Sequence, residues 1–393
     1  MVGRRRDPAC PLASPRPGES AAVCRGPLRE RLPGTQLVVR ANGRKVRVVN
    51  QKLTFVVGTG RCGSTALSHI INLHPDVLSI NELFASVPDE EVLADAPLSG
   101  PEFWGYLSRP NPVTNSMIKN GATPPEFLYH RVPRRRYDAE TTGVPAISVM
   151  VLPHLTDDPD ALLDALEPEV TSWPTRRPAD HWRALFATLG ARFGNPGAVV
   201  ERTGLSIGRV PEMHHAFPDA RFVHLYREGP DCAVSMSRHF SFRMIPLLWE
   251  MADHCGLESP RLLTPQHAAQ LPPDLAPLLS DRYDPALVME RPIPISQFGT
   301  LWSETIVDGL RKLEAVPASQ RTALAYETLL EEPEKELIRL AEFIGVEPHR
   351  TWLEASVAHL DGGRPGAARK LPEAELTPLL ESCSPGMRAL AVH

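Results

Sequence analysis

The sequence predicts a three-layer α/β protein in which a central, mostly parallel sheet carries helices on both faces. Short apolar runs typical of buried strands alternate with amphipathic helical patterns along most of the chain. Hydrophobic residues make up 42% of the 393 residues, which is enough for one large domain. Since ligands of such sheets bind beyond the carboxyl ends of the strands, we expect a functional site in the loops at that edge.

The chain begins with residues 1–34, which are rich in Pro, Arg, Gly and Ser and have no hydrophobic period, so we predict a disordered tail. Residues 35–393 are predicted to form a single domain. Its first segment, "TQLVVRANGRKVRVV", alternates apolar and polar residues on both sides of Asn42-Gly43, which predicts an antiparallel hairpin.

The strands and helices of the sheet follow in alternation. Apolar runs predict five buried strands, in "KLTFVVG", "DVLSINEL", "GAVVER", "ARFVHLYRE" and "RTALAY". Apolar residues at helical spacing predict helices in "STALSHIINLH", "PADHWRALFATLGARFG", "RVPEMHHAFP", "PDCAVSMSRHF", "LWSETIVDGLRKLEAV" and "PEKELIRLAEFIGV". Proline-rich residues 85–170 and 241–298 have only short helical patterns, and we predict irregular lid segments that cover a substrate.

Charge and cysteine content exclude several classes of protein. A net charge of −5 and a pI of about 6.3 argue against a surface-wide attraction to nucleic acid or anionic membranes. The six cysteines have no C-x-x-C spacing, so neither a zinc site nor a disulfide framework is predicted. No segment reaches the roughly 18 apolar residues of a membrane helix, and we predict a cytoplasmic protein. The sequence does not indicate the oligomeric state.

The stretch "GTGRCGST" follows the first buried strand and resembles a phosphate-binding loop. Gly58 and Gly63 have the spacing of a nucleotide-triphosphate loop, but Ser64 stands where that loop has its lysine. Glycines let the backbone approach an anion, and the helix that starts near Ser64 presents unpaired N–H groups to it. Arg61 adds a planar cation. We therefore predict that the loop binds a tetrahedral anion. Without the lysine, it lacks the usual partners of a triphosphate's γ-phosphate and metal ion.

A second anion site is predicted in "YREGPDCAVSMS". Arg227 ends a buried strand, and Ser235 lies eight residues further on, in the following helix. Both side chains can converge on one phosphate at the carboxyl end of the strand. Two separate anion sites on one sheet indicate a nucleotide with phosphate at both ends of its ribose.

These motifs resemble those of the sulfotransferases that use 3′-phosphoadenosine 5′-phosphosulfate (PAPS). "GTGRCGST" is similar to their 5′-phosphosulfate loop, with Cys62 where the tyrosylprotein and Golgi-type branches have serine. "YREGPDCAVSMS" is similar to the 3′-phosphate motif at the same Arg-to-Ser spacing. "HPDVLSINE" resembles the segment that ends in the catalytic glutamate of the tyrosylprotein branch, here Glu82. "LAYETLL" resembles the segment in which a tyrosine, here Tyr326, lies by the nucleotide.

The resemblance implies a P-loop NTPase-like sulfotransferase fold, PAPS as co-substrate and no metal. Glu82, after a strand expected next to the loop strand, would take the proton of an acceptor hydroxyl while Arg61 stabilises the transferred charge. The residues that would bind PAPS are Gly60, Arg61, Cys62, Gly63, Ser64, Thr65, Arg227, Ser235 and Tyr326. A helix N-terminus lowers the pKa of a thiol, which would suit Cys62 as a nucleophile, but the family has serine there and binds through the backbone. Cys62 is therefore expected to replace that serine and to be sensitive to oxidation.

Several alternatives stay open. The tyrosylprotein branch has an arginine four residues after the 3′-phosphate serine, where this sequence has His239 with Arg238 beside it. The segment "DGGRPGAARK", with Arg364 and Lys370, is a candidate replacement for the family's late glycine-rich loop. His239 or His74 is the second candidate for the base. The acceptor is a small molecule, a glycan or a carrier-bound intermediate with a hydroxyl group.

Two other classes of protein are also considered. The G-x-S-x-G motif from Gly204 to Gly208 permits a serine hydrolase that uses Ser206 with, for example, Asp231 and His359. An atypical P-loop kinase or nucleotide-binding protein would bind ATP with magnesium. The hydrolase leaves both anion motifs unexplained.

Overall fold

The structure is a computed structural model that describes residues 36–39, 45–48, 51–88, 90–194, 196–360 and 366–392. The predicted disordered tail and the Asn42-Gly43 turn lie outside the described residues. The chain divides into two compact units, Met1–Val48 and Val49–His393. In the first, strand β1 (Gln36–Val39) pairs antiparallel with β2 (Lys45–Val48), as predicted. The predicted domain began at residue 35, whereas the larger compact unit begins at Val49.

The larger unit contains one parallel sheet of five strands, and each strand lies in a segment predicted from its apolar run. The strands are β3 (Lys52–Val57), β4 (Val77–Asn81), β5 (Ala198–Arg202), β6 (Arg221–Tyr226) and β7 (Arg321–Ala325). Their order is β4-β5-β3-β6-β7. Because all five are parallel, their carboxyl ends lie at one edge of the sheet.

Helices account for most of the remaining described chain, and those predicted around the sheet are present. The helices are α1 (Ser64–Asn72), α2 (Leu83–Ser86), α3 (Gly100–Ser108), α4 (Pro112–Lys119), α5 (Ala146–Met150), α6 (Leu152–Leu155), α7 (Pro159–Thr171), α8 (Pro178–Arg192), α9 (Val210–Ala216), α10 (Gly229–Met236), α11 (Phe240–His254), α12 (Ala286–Met289), α13 (Ile295–Leu313), α14 (Tyr326–Glu331), α15 (Pro333–Ile344), α16 (Arg350–His359) and α17 (Glu373–Val392). Outside the two lid segments, helices α14, α16 and α17 were not predicted.

Side chains of the sheet alternate between two hydrophobic cores. Phe55 and Val57 of β3 pack in a core with residues of α3, α5, α7, α8 and α9. Val56, between them in sequence, packs on the other face with residues of α1, α15 and α16. Successive residues of a strand point to opposite faces, so the buried strands hold helices on both sides. The predicted three-layer α/β architecture is confirmed.

The prediction that residues 85–170 are irregular is wrong. This segment contains α3 to α7, and Leu107, Ile147 and Leu166 are fully buried in the same core as Phe55. Residues 241–298 fit the prediction better, because only α11 in this range is long and the rest consists mainly of short helical turns. The two segments share a third core that includes Met117 and Leu247.

The expected position of the strand before Glu82 is also wrong. That strand, β4, does not lie next to the loop strand β3, because β5 lies between them and pairs with both. The register places Arg202, the last residue of β5, opposite Asn81 on one side and Val56 on the other. Arg202 therefore separates Glu82 from the glycine-rich loop.

Phe55 tests the contribution of the core beneath the sheet. Its ring is fully buried and lies 5.4–6.1 Å from the rings of Phe84, Phe217 and Phe222, measured between centroids. We expect Phe55→Ala to lower the free energy of unfolding by about 3–5 kcal/mol, because it leaves a cavity. Urea unfolding measures this change. Leu380→Ala, at a side chain that is 49% exposed, is the control and should change stability by no more than about 0.5 kcal/mol.

Candidate active site

A cavity of about 680 Å³ opens at the carboxyl ends of β3, β4 and β5. Gly60, Arg61, Ser64 and Thr65 of the glycine-rich loop line one part of it. Glu82, directly after β4, lines the same cavity, as do residues of both segments predicted as lids. The structure thus brings the predicted phosphosulfate loop and the predicted base to one cavity.

The loop takes a backbone conformation that suits an anion. Gly60 and Gly63 have φ values of 71° and 91°, in the left-handed region that favours glycine. A β-carbon on Gly63 would overlap the ring of Tyr326, and one on Gly60 would lie 2.6 Å from Cζ of Phe242. Gly63 also provides no side-chain cap to α1. The N–H groups in the first turn of α1 therefore have no side-chain acceptor at Gly63.

Arg61 joins the two predicted anion sites. It has a φ of 58°, which is rare for a residue with a side chain, and its Nε donates a hydrogen bond to Ser235 Oγ over 3.2 Å. Arg227, after β6, lies with its guanidinium carbon 5.5 Å from the centre of the Tyr326 ring. Because Tyr326 also packs against Gly63, the two motifs are contiguous.

Asp231 ties the second motif to the C-terminal part of the chain. Its carboxylate accepts hydrogen bonds from Arg227 Nη2 over 2.9 Å and from the backbone N–H groups of Gly366 and Ala368 over 2.6 and 2.8 Å. Arg364 lies outside the described residues, and Lys370 is exposed. The segment that was expected to replace a late phosphate loop thus ends beside Arg227.

Glu82 is held in place by Arg202, a residue that the sequence interpretation missed. Glu82 is buried and has a φ of 53°. Its Oε1 pairs with Arg202 Nη1, and its Oε2 accepts a hydrogen bond from the N–H of Gly204 over 2.9 Å. Arg202 in turn donates to Ser68 and Asn81. A charged residue at the end of the apolar run "GAVVER" was the signal that could have revealed it.

Glu201, next to Arg202, is a second buried carboxyl group near Glu82. Burial raises its pKa to about 8; a hydrogen bond from Thr203 opposes this shift, and the negative charge of Glu82 adds to it. Near neutral pH Glu201 therefore holds a proton. Glu82 is then the carboxylate that pairs with Arg202.

Cys62 differs from its prediction. Its side chain is buried in the core against α1, and burial raises the pKa of the thiol to about 11 despite the positive charges of Arg202 and Arg61. Burial therefore outweighs the lowering of a thiol pKa that a helix N-terminus favours. The thiol stays protonated at neutral pH, and the expected sensitivity to oxidation loses its basis. Only the backbone of Cys62 is left to contact a ligand in the loop.

The two candidate histidines lie in different places. His239 lines the cavity, with its Nε2 3.0 Å from Glu126 Oε1, while Arg238 is exposed. His74 lies at the opposite end of α1, where its Nε2 bonds the carbonyl of Glu347 over 3.0 Å. The alternative assignment of His74 as the base is therefore wrong.

The hydrolase arrangement is not formed. Ser206 is buried, does not line the cavity, and donates a hydrogen bond to the carbonyl of Thr203 over 2.6 Å. The left-handed residue of its turn is Leu205, with a φ of 55°, rather than the serine. Of the suggested partners, Asp231 is bound to Arg227 and His359 is exposed at the end of α16.

Two further observations concern partners of the chain. Within the described ranges, no group of three or more His, Cys, Asp or Glu side chains could hold a metal ion. No helix in the part of the chain that the structure describes combines the length and apolar character needed to cross a membrane.

The fold and the site define an α/β protein with a glycine-rich loop and a cavity at the carboxyl edge of a parallel sheet. Residues 54–258, slightly more than half of the 393-residue chain, match the model of the sulfotransferase family, and the chain belongs to this family. The family predicted from the motifs is thereby confirmed. No curated protein sequence matches the chain.

Three solved structures are similar to the chain. The sulfotransferase domain of the curacin biosynthetic pathway is 14% identical with a TM-score of 0.44, covering 85% of this chain and 98% of that domain. The sulfotransferase domain of a Synechococcus olefin synthase is 14% identical with a TM-score of 0.42, covering 87% and 94%. Sulfotransferase STF9 of Mycobacterium avium is 12% identical with a TM-score of 0.42, covering 88% and 77%.

The raised pKa of Glu201 predicts how stability depends on pH. A carboxyl group with a folded pKa of about 8 loses its contribution to stability as pH rises from its unfolded value, 4.5, through 8. Glu201→Gln keeps the shape but cannot ionise. We expect the variant to gain stability relative to the wild type between pH 5 and 8, by roughly 1–3 kcal/mol. Urea unfolding at both pH values measures this difference.

Glu91→Gln, at an exposed position, is the control and should follow the wild type. Equal pH dependence in Glu201→Gln and the wild type would mean that Glu201 is already ionised in the folded protein.

Proposed function

We propose that the protein transfers a sulfuryl group from PAPS to an acceptor hydroxyl, with Glu82 as the general base. The observation that carries this proposal is the position of Arg61, Ser64 and Glu82 around one cavity at the carboxyl edge of the sheet. Membership of the sulfotransferase family supports the same reaction.

The residues present fit PAPS. The first turn of α1 and Arg61 suit the 5′-phosphosulfate, which has no γ-phosphate and therefore does not need the lysine replaced by Ser64. Arg227 and Ser235 suit the 3′-phosphate, and Tyr326 lies between Arg227 and the loop. The hydrogen bond from Arg61 to Ser235 joins the two sites, as a nucleotide with phosphate at both ends of its ribose would require. A triphosphate with magnesium would lack its usual lysine here.

Glu82 would take the proton of the acceptor hydroxyl as its oxygen attacks sulfur. PAPS supplies the sulfuryl group, whose bond to the 5′-phosphate oxygen breaks while the bond to the acceptor oxygen forms. Arg202 and the N–H of Gly204 bind one lone pair on each carboxylate oxygen, which orients Glu82 and leaves further lone pairs for the hydroxyl. Arg202 is a positioning residue. Arg61 would stabilise the negative charge on the sulfuryl group during its transfer and on the bridging oxygen.

The acceptor would be a small molecule, a glycan or a carrier-bound intermediate that enters between the segments 85–170 and 241–298. Residues of both line the cavity, which supports their role as a substrate cover. We also propose a cytoplasmic location, which fits the free thiols of Cys62, Cys232, Cys255 and Cys383.

Replacing the base tests the mechanism. We expect Glu82→Gln to lower kcat about 10²–10⁴-fold, because an amide cannot accept the hydroxyl proton. Transfer from labelled PAPS into a small-molecule extract of the source cell measures this rate. Binding of the product nucleotide, 3′-phosphoadenosine 5′-phosphate (PAP), should stay unchanged and shows that the variant is folded. Ser206→Ala is the control and should keep its transfer activity; full transfer activity in Glu82→Gln would rule out Glu82 as the base.

Nucleotide binding tests the donor. PAP and AMP differ only in the 3′-phosphate, and we expect PAP to bind at least about tenfold more tightly, as expected of charge-assisted hydrogen bonds. Ser235→Ala should reduce this preference. Thermal shifts in EDTA measure binding, because a ligand that binds the folded state raises stability with its occupancy. A larger shift with ATP and magnesium than with PAP in EDTA would instead support the kinase.

A further inference from the structure

The part of the cavity away from the glycine-rich loop is strongly apolar. It is lined by side chains of both lid segments, among them Met117, Phe127, Met150, Met244, Ile245 and Leu278. At about 680 Å³, the cavity has the size of pockets that bind drug-sized molecules. We call this part of the cavity the acceptor chamber.

Two ionisable side chains interrupt the apolar lining of the acceptor chamber. Glu126 comes from the first lid segment, and His239 precedes α11. The His239 side chain is only 4% exposed and that of Glu126 is 22% exposed. Burial would raise the pKa of Glu126, but the contact with His239 outweighs it, with a smaller contribution from Arg61, so the pKa is lowered and Glu126 is a carboxylate.

The contact between these two side chains does not satisfy the imidazole. His239 Nε2 lies 3.0 Å from Glu126 Oε1, which is close enough for an ion pair. Nε2 is thus occupied by Glu126, but Nδ1 of the ring has no hydrogen-bond partner among the residues that the structure describes. Buried polar atoms in folded proteins almost always have a hydrogen-bond partner. The imidazole is therefore expected to find its partner in a bound molecule.

We infer that Glu126 and His239 recognise a second hydroxyl group on an uncharged, largely apolar acceptor. This inference rests on the proposed function, because it describes the molecule whose first hydroxyl reacts at Glu82. A hydroxyl group fits the pair because it can donate to the carboxylate of Glu126 and also accept from an N–H of His239. An acceptor with an anionic group at this end of the chamber is disfavoured, since that group would lie against the carboxylate of Glu126.

The pair has the properties of a specificity-determining site. Glu126 lies in the first lid segment and His239 directly precedes α11, which leads into the second, so an acceptor that binds both residues lies between the two lid segments. A site built to hydrogen-bond a hydroxyl rejects an analogue without it, because the buried polar groups then lose their partner. An apolar molecule with a single hydroxyl group would leave the His239 imidazole unsatisfied.

Two probes of matched shape test this inference. Bisphenol A is an apolar molecule with two hydroxyl groups, and 4-cumylphenol is the same molecule without one of them. We expect the free wild-type protein to bind bisphenol A about tenfold more tightly than 4-cumylphenol in titration calorimetry. His239→Phe should remove this preference. Glu126→Leu, at a half-buried position, should remove it as well.

Tyr283→Phe is the matched control. Tyr283 also lines the cavity, but its hydroxyl bonds Ser116, so this variant should still prefer bisphenol A. Equal binding of the two probes to the wild type would overturn the role of the pair. Failure of both probes to bind would overturn the acceptor class. A lower kcat in His239→Phe with an unchanged preference would make the pair part of the reaction instead.

The binding measurement needs neither PAPS nor PAP. If PAP binds as expected and the preference for bisphenol A is absent, only this inference fails. If PAP binding and transfer are both absent, the proposed function fails, even where bisphenol A is preferred.

Discussion

The buried ion pair between Glu82 and Arg202 is the interaction on which the rest of the site depends. It joins the ends of β4 and β5, and Ser68 of α1 and Asn81 of β4 complete its hydrogen bonds. Removing one partner of a buried pair leaves an uncompensated charge, which is strongly destabilising. Two strands and the helix after the glycine-rich loop must therefore come together correctly before Glu82 can face the cavity. The ionisation of Glu201 is linked to this pair, because Glu82 carries the nearby negative charge.

The glycine-rich loop shows a second constraint, which is backbone strain held by packing. Arg61 has a left-handed backbone, a conformation that costs about 1–3 kcal/mol for such a residue. The rings of Tyr326 and Phe242 pack against Gly63 and Gly60, and Ser235 binds the Arg61 side chain. Residues far apart in sequence thus fix the backbone conformation of the loop that precedes α1. An anion would meet hydrogen-bond donors that are already in position, namely the first-turn N–H groups of α1 and Arg61. Enzymes use such preorganised donors to stabilise charge that develops in the transition state.

The lid segments show where sequence patterns mislead. Residues 85–170 were expected to be irregular because they are rich in proline, yet Pro112 and Pro159 each begin a helix. Proline suits the first position of a helix, since its missing N–H would have no partner there. The helices that follow are short, so each contains few turns of apolar spacing. The five strands were easier to predict, because each is a continuous apolar run between polar loops.

The sequence by itself determined the features that lie within one local segment. These are the five strands, the loop from Gly58 to Thr65 before α1, and the motifs that placed the chain in the sulfotransferase family. Only the tertiary structure decided which residues meet across segments. Arg202 reaches Glu82 because β5 lies between β3 and β4. His239 meets Glu126 because α11, which His239 precedes, packs in one core with the segment that contains Glu126. Spacing along a chain reveals contacts within a strand or helix, whereas strand order and burial decide the partners of side chains more than a hundred residues apart.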